Sequence, residues 1–218
     1  VQRDGSEAMK TDNDTDWYYI DDGDMYHANT TDAVGTTDDG DPVYVMRKKV
    51  KVSGNKYFAF NEKGQMQDGL QYCQADGGFY YFDDNGYQKT GRVTSVENDD
   101  DDYTFYFNTK NGKNGLGYNG LKDDYLYFNG KRLEADDDYK LYVVDEKVYL
   151  VNTKGKIQKA STAKKYDDIV NAAYVGKEIY VKTNKKGVVE SVDGVGYTTL
   201  VNTVKADIAK SGFVGAQD

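Results

Sequence analysis

Aromatic side chains offer the most chemistry in this sequence: 21 Tyr, 8 Phe and 1 Trp among 218 residues. A ring with a polar group at its edge combines a flat apolar face with a hydrogen-bonding tip, which suits stacking on a ligand or packing between neighbours. Trp17, Tyr19, Tyr57, Phe79, Tyr81, Tyr106, Tyr125 and Tyr127 form the candidate ligand-binding set, because they share one side of short aromatic runs. At any one of these positions, packing between adjacent hairpins explains the ring equally well.

Reactive groups are sparse by comparison. His27 is the single histidine and sits between Tyr26 and Ala28, where a surface or packing role fits better than catalysis. Cys73 is the single cysteine, so no internal disulfide forms, and a small residue in a strand is its plain reading. No Ser/His or Cys/His pair and no phosphate-binding glycine loop supports nucleophilic chemistry. With 37 acidic residues, any two can be nominated as a glycosidase pair, so such a pair carries no signal. Asp21/Asp22/Asp24 and Asp38/Asp39/Asp41 offer oxygen ligands for calcium, but neither has the spacing of a helix–loop–helix calcium site. The sequence therefore points to a non-enzyme with no cofactor, calcium being the one ion to test.

The elements that position the rings follow from composition. Hydrophobic residues make up 38%, net charge is −9, and mean hydropathy is −0.82. Such values lean toward disorder, yet the aromatic content argues for a packed fold. With 23 Gly and only Pro42 as proline, turns must be made by Gly, Asn and Asp, as in hairpins. The acidic balance excludes nucleic-acid binding as a general role, and no apolar run approaches the length of a membrane span. No signal-peptide pattern opens the sequence, and Val1 in place of Met fits a trimmed chain.

A repeat organises the chain. Tyr57-Phe58-Ala59-Phe60-Asn61-Glu62-Lys63-Gly64 recurs as Phe79-Tyr80-Tyr81-Phe82-Asp83-Asp84-Asn85-Gly86 and as Thr104-Phe105-Tyr106-Phe107-Asn108-Thr109-Lys110-Asn111-Gly112. A shortened copy is Tyr125-Leu126-Tyr127-Phe128-Asn129-Gly130, and a Val-rich one is Val148-Tyr149-Leu150-Val151-Asn152-Thr153-Lys154-Gly155. Looser copies begin at Trp17 and Ile179. Each reads as a strand of aromatic and β-branched residues, an Asn or Asp that opens a turn, a Gly at positive φ, and a more polar return strand. A lone hairpin is marginal in water, so successive hairpins must share a core. The expected fold is all-β, an elongated, solenoid-like array of stacked hairpins. Alternation assigns Phe58/Phe60, Tyr80/Phe82, Phe105/Phe107, Leu126/Phe128 and Tyr149/Val151 to the core, and the candidate set to the opposite face.

Residues Gly78 to Gly91, with Phe79-Tyr80-Tyr81-Phe82-Asp83-Asp84-Asn85-Gly86-Tyr87-Gln88-Lys89-Thr90 between them, resemble the cell-wall-binding repeats of choline-binding modules, streptococcal glucan-binding repeats and clostridial toxin receptor-binding repeats. The resemblance covers roughly residues 56–159 and implies a secreted hairpin solenoid of Gram-positive origin. Such an array would be associated with the cell wall or cell surface and hold glycan or choline between hairpins. Choline-binding repeats carry a Thr-Gly-Trp segment whose Trp helps to cage the ammonium group. Thr90-Gly91-Arg92 and Asp68-Gly69-Leu70 stand here instead, and the Arg92 charge repels a cation. The expected partner is therefore a neutral cell-wall or host glycan, with a protein surface as the alternative.

Segmentation follows composition. Residues 1–45 read as an irregular N-terminal portion, 46–159 as the repeat array and 160–218 as diverged repeats with a C-terminal cap. Asp99–Asp102 and Asp136–Asp138 read as solvated loop insertions, and Ser161-Thr162-Ala163 as the opening of a short helix reaching Ala173.

Overall fold

The computed structural model describes residues 2–4, 7–11, 16–52, 54–74, 77–98, 101–110 and 112–210. The chain is all-β, hairpin after antiparallel hairpin, and it divides into two compact units, residues 1–117 and 118–218. The unit boundary falls inside the 46–159 segment. Of the acidic stretches, Asp101 and Asp102 open a strand, Asp136–Asp138 are exposed loop residues, and Asp99 and Asp100 lie outside the described residues.

In the first unit the described early residues include six short strands. Gln2–Asp4, Glu7–Thr11, Trp17–Asp21 and Asp24–Met25 form one antiparallel sheet, and Gly35–Thr36 pairs with Pro42–Val43. Val45–Val52 then pairs along its whole length with Gly54–Asn61, Gly69–Cys73 with Gly78–Phe82, and Gly91–Asn98 with Asp101–Phe107. In the second unit Gly120–Lys122, Tyr125–Phe128 and Lys131–Arg132 form a meander, and Tyr139–Val144 pairs with Lys147–Asn152. Lys164–Tyr166, Ile179–Thr183, Val189–Val192 and Val195–Gly196 form a further sheet.

These pairings correct the unit read from the sequence. Apart from the Ile179 copy, which also pairs with the four-residue Val189–Val192 after its turn, each aromatic run finds its longer partner upstream. In those copies the return segment is a two-residue strand, at Asp24–Met25, Met66–Gln67 and Lys131–Arg132, or a single bridge, at Phe82–Gln88, Phe107–Gly117 and Val151–Ile157. Upstream residues such as Val45, Val50, Leu141 and Val144 are buried, so pairing there adds apolar contact as well as ladder hydrogen bonds.

The turn itself is one device used four times. Asn61, Asp83, Asn152 and Asn184 each accept two backbone N–H bonds on Oδ1, from the residues two and four positions on, at 2.9–3.1 Å. In each, the N–H of the following Gly also donates to the backbone carbonyl of that Asn or Asp. Gly64, Gly86, Gly155 and Gly187 have φ of 73–83°, where only Gly is unstrained. In the copy after Phe107 the closing residue is Gly115, not Gly112: Gly115 N–H donates to Asn108 O at 2.7 Å and Asn108 N–H to Leu116 O at 2.8 Å. A longer loop closes the same turn there, at little extra entropy.

These glycines also mark where hairpins stack. A Cβ on Gly64 would lie 2.7 Å from Met25 Sδ, and one on Gly155 2.8 Å from Arg132 Cγ. Met66 fills the same place at Gly86, Gln88 at Gly115 and Ile157 at Gly187. Each filling side chain sits two residues beyond an earlier turn glycine, so one spacing both closes a hairpin and seats the next.

Asp83 is the only carboxylate among these four turn residues. Burial works to raise its pKa, but hydrogen bonds from Lys89 Nζ and from the Tyr87 and Asn85 amides outweigh it, leaving the carboxyl below its ordinary 3.8. A depressed folded pKa contributes stability that is present above the unfolded value and is lost as pH falls through the folded one. Asp83→Asn keeps the Oδ1 acceptor that Asn supplies in the other copies, so stability near neutral pH should change by less than about 1 kcal/mol. Denaturation measured across the acid range should then lose the part of its pH slope that Asp83 supplies.

Alternation serves two cores rather than one core and one free face. In Lys147–Asn152, Val148 and Leu150 join one buried cluster, while Tyr149 and Val151 join another. Phe58 and Phe60 likewise pack with Tyr19 and Val50, whereas Ala59 turns to Val45, Cys73, Tyr80 and Phe82. The expected core rings are buried, apart from half-buried Phe128. Cys73 is fully buried as a reduced thiol.

The helix expected from Ser161 is not there: Lys164–Tyr166 is a strand paired with Ile179–Val181. The α-helix of the described residues is Tyr197–Lys210, and it buries Leu200, Val201 and Val204. Thr198, Thr199 and Thr203 give that segment little intrinsic helix preference, so packing of its one apolar face stabilises it. No helix among the described residues is long and apolar enough to cross a membrane.

Candidate functional site

The candidate rings do not converge on one site. Tyr19, Phe79 and Tyr127 are 0%, 7% and 2% exposed, which corrects their assignment to an open face. Tyr19 packs in the first aromatic cluster, with centroids 6.3 Å from both Tyr26 and Phe60. The early copy is thus inverted relative to the alternation expected of it, because Tyr19 rather than Tyr18 or Ile20 turns into the core. Phe79 meets the Tyr72 ring edge-on at 5.1 Å, and Tyr127 meets Tyr118 at 6.4 Å.

The partly open rings are mostly engaged by the chain itself. The Arg47 guanidinium lies between Tyr57 and Tyr80, 4.8 and 3.6 Å from their centroids, and Arg132 covers Tyr125 at 5.3 Å. Tyr81 stacks on Phe107 at 6.2 Å with 23° between planes. Burial, then the charges of Asp84, Asp83 and Asp68, raise the Tyr81 hydroxyl pKa. Tyr106 is half-buried opposite Arg92.

Trp17 is the exception. It is 40% exposed and lines a cleft of about 220 Å³ with Val52, Phe58, Met66, Asp84, Asn85 and Tyr87. The turn after Phe82 places two of these: Asp83 ties down the backbone, so Asp84 and Asn85 point outward from a fixed loop. Tyr87 follows the turn glycine and meets Phe58 edge-on at 5.5 Å. Met66 forms the floor, wedged against Gly86. Lys56 Nζ lies 5.6 Å from the Tyr87 centroid.

The cleft combines an exposed indole, a phenol, a carboxylate and an amide. An apolar platform beside hydrogen-bonding groups suits a hydroxylated ring compound, whose faces are apolar and whose edges are polar. Sequence reasoning found Trp17 but missed Asp84, Asn85 and Tyr87. Their signal was the repeat itself, which makes the two residues before the turn glycine an outward-facing pair.

His27 makes a 2.8 Å contact from Nδ1 to the Ala28 carbonyl and is exposed. Among the described residues no group of three acidic, His or Cys side chains forms a metal site, including Asp21/Asp22/Asp24 and Asp38/Asp39/Asp41. Asp21 instead pairs with Lys48 at 3.3 Å.

No protein-family model and no curated protein matches the chain. Solved structures similar to it include the choline-binding domain of CbpL from Streptococcus pneumoniae, at 18% identity and a TM-score of 0.41, covering 89% of this chain and 95% of that one. A structure of CbpF in complex with ipratropium has 16% identity and a TM-score of 0.41, with 89% of this chain covered. Alternansucrase in complex with isomaltononaose has 15% identity and a TM-score of 0.35, with 85% covered. The chain spans 58% of that CbpF chain and 16% of the alternansucrase chain. The assignment as an all-β hairpin-repeat protein rests on the strand pairings and repeated turns of this chain.

Proposed function

We propose that the chain is a non-catalytic, extracellular cell-wall or glycan-binding repeat module that attaches a secreted protein to a surface polysaccharide by aromatic stacking. The Trp17 cleft carries this reading, because an exposed indole is set beside a carboxylate and an amide held on a rigid turn. A sugar ring laid on Trp17 would direct its hydroxyls to Asp84 and Asn85. The favoured ligand is a neutral glycan: Arg92 and Leu70 stand where a choline cage would need rings.

Trp17→Ala should weaken retention on purified cell wall or on an uncharged glucan by up to roughly tenfold, the equivalent of one aromatic stacking contact. The melting temperature should stay near that of the wild type, since the ring is 40% exposed. Unchanged retention across a panel of wall fractions and glucans would remove Trp17 as the platform.

A structural spacer or adhesin stalk making protein–protein contacts is the second reading. The buried rings Tyr19, Phe79 and Tyr127 favour it, as do Tyr57 and Tyr125 under their arginines. On that reading the rings serve hairpin packing alone, and Trp17→Ala leaves glycan retention intact.

A further inference from the structure

The turn that shapes the Trp17 cleft recurs in the second unit with a different pair of outward residues. Asp83-Asp84-Asn85-Gly86 becomes Asn184-Lys185-Lys186-Gly187, with the same backbone and side-chain hydrogen bonds. Just as Asp84 and Asn85 line the first cleft, Lys185 and Lys186 line a groove of about 720 Å³. Lys147 and Lys159 line the same groove, with Tyr118 at its wall and Asp145 as its carboxylate.

Charge is concentrated there against the trend of the chain. Residues 1–117 hold 12 basic and 22 acidic residues, net −10, whereas residues 118–218 hold 16 and 15, net +1. Among the described residues Lys159 meets Asp124 at 2.7 Å, while Lys147, Lys185 and Lys186 enter no ion pair. Exposed ammonium groups gathered around one concavity without carboxylate partners repel each other, and an anionic ligand relieves that repulsion. Lysine is suited to oxyanions spread along a flexible chain, since it acts as a point charge on a mobile stem.

We infer that the second unit holds an anionic-polysaccharide site in this groove, and that the residue pair before the turn glycine sets the charge of the ligand each site accepts. This deepens the glycan reading of the first unit but stands on separate residues, so either can fail alone.

The test uses the full chain with dextran sulfate, polygalacturonate and uncharged dextran, each immobilised. Wild type should be retained on at least one of the two anionic polymers more strongly than on dextran, and the difference should shrink as salt rises. Binding to both polymers identifies charge as the common determinant; binding to one identifies sulfate or carboxylate as the preferred group. The double variant K185E/K186E should bind the preferred polymer roughly tenfold more weakly, each lost ion pair supplying a factor of a few, while melting as the wild type does. K154E/K177E makes the same change in net charge outside the groove and should bind as wild type. Equal loss in both variants would reduce the effect to net charge and overturn the site, as would equal retention on all three polymers. A single-stranded oligonucleotide bound as tightly as the preferred polymer would overturn the polysaccharide assignment. Trp17→Ala should leave anionic retention unchanged, which separates this result from failure of the Trp17 cleft.

Discussion

Phe82→Ala should destabilise the protein by about 3–5 kcal/mol, with a marked fall in melting temperature. The ring is fully buried and packs with Val45, Ala59, Cys73 and Tyr80, which come from four different strands. Those strands are held by their own ladders and cannot collapse into the space, so truncation loses transfer free energy and leaves a cavity. Tyr81→Ala, one residue away, provides the comparison. Tyr81 is half-buried and stacks on Phe107, and losing that partial burial and ring contact should cost about 1–2 kcal/mol. Chemical denaturation of both variants checks the order. If the two costs were equal, the layered arrangement of Phe82 and Tyr81 would be wrong.

Gly86→Val should cost about 2–5 kcal/mol, combining left-handed backbone strain with overpacking. Its φ is 73°, which a β-branched residue resists, and an added side chain would strike Met66 and come within 3.0 Å of Phe58 Cδ1. Gly23→Val separates the two effects. Gly23 has φ of 94° but nothing within 4 Å of a built Cβ, so only the backbone penalty of about 1–2 kcal/mol applies. The excess at Gly86 measures how tightly successive hairpins are seated. Equal losses at both glycines would show that Met66 simply moves aside.

The two results address different layers of the same design. Phe82 reports on the core beneath a hairpin, and Gly86 on the seat between one hairpin and the next. Met66 belongs both to that seat and to the floor of the Trp17 cleft. A cleft built on such a seat holds its shape without a ligand, which lowers the ordering cost of binding.

Much of this fold is local and was therefore legible in the sequence. An aromatic run, an Asn or Asp and a following Gly encode a turn whose hydrogen bonds span four residues, and Asn61, Asp83, Asn152 and Asn184 make it as read. Alternation correctly marked Phe58, Phe60, Phe82, Phe105 and Phe107 as core, because side-chain direction in a strand is set by the backbone alone. Local pattern could not say which strand each run pairs with, since upstream and downstream partners both satisfy its hydrogen bonds. Nor could it say whether the second face is open. Tyr19 and Tyr127 carry the same ring-and-hydroxyl signature as Tyr81, yet packing buries the first two and leaves the third half-covered. The helix at Tyr197–Lys210 is a similar case, formed from β-branched residues because its apolar face finds a core. The Trp17 cleft joins residues from 17 to 87. Its ring was visible in the sequence, but its carboxylate and amide became candidates only once the hairpins were stacked, because that proximity comes from packing rather than from spacing along the chain.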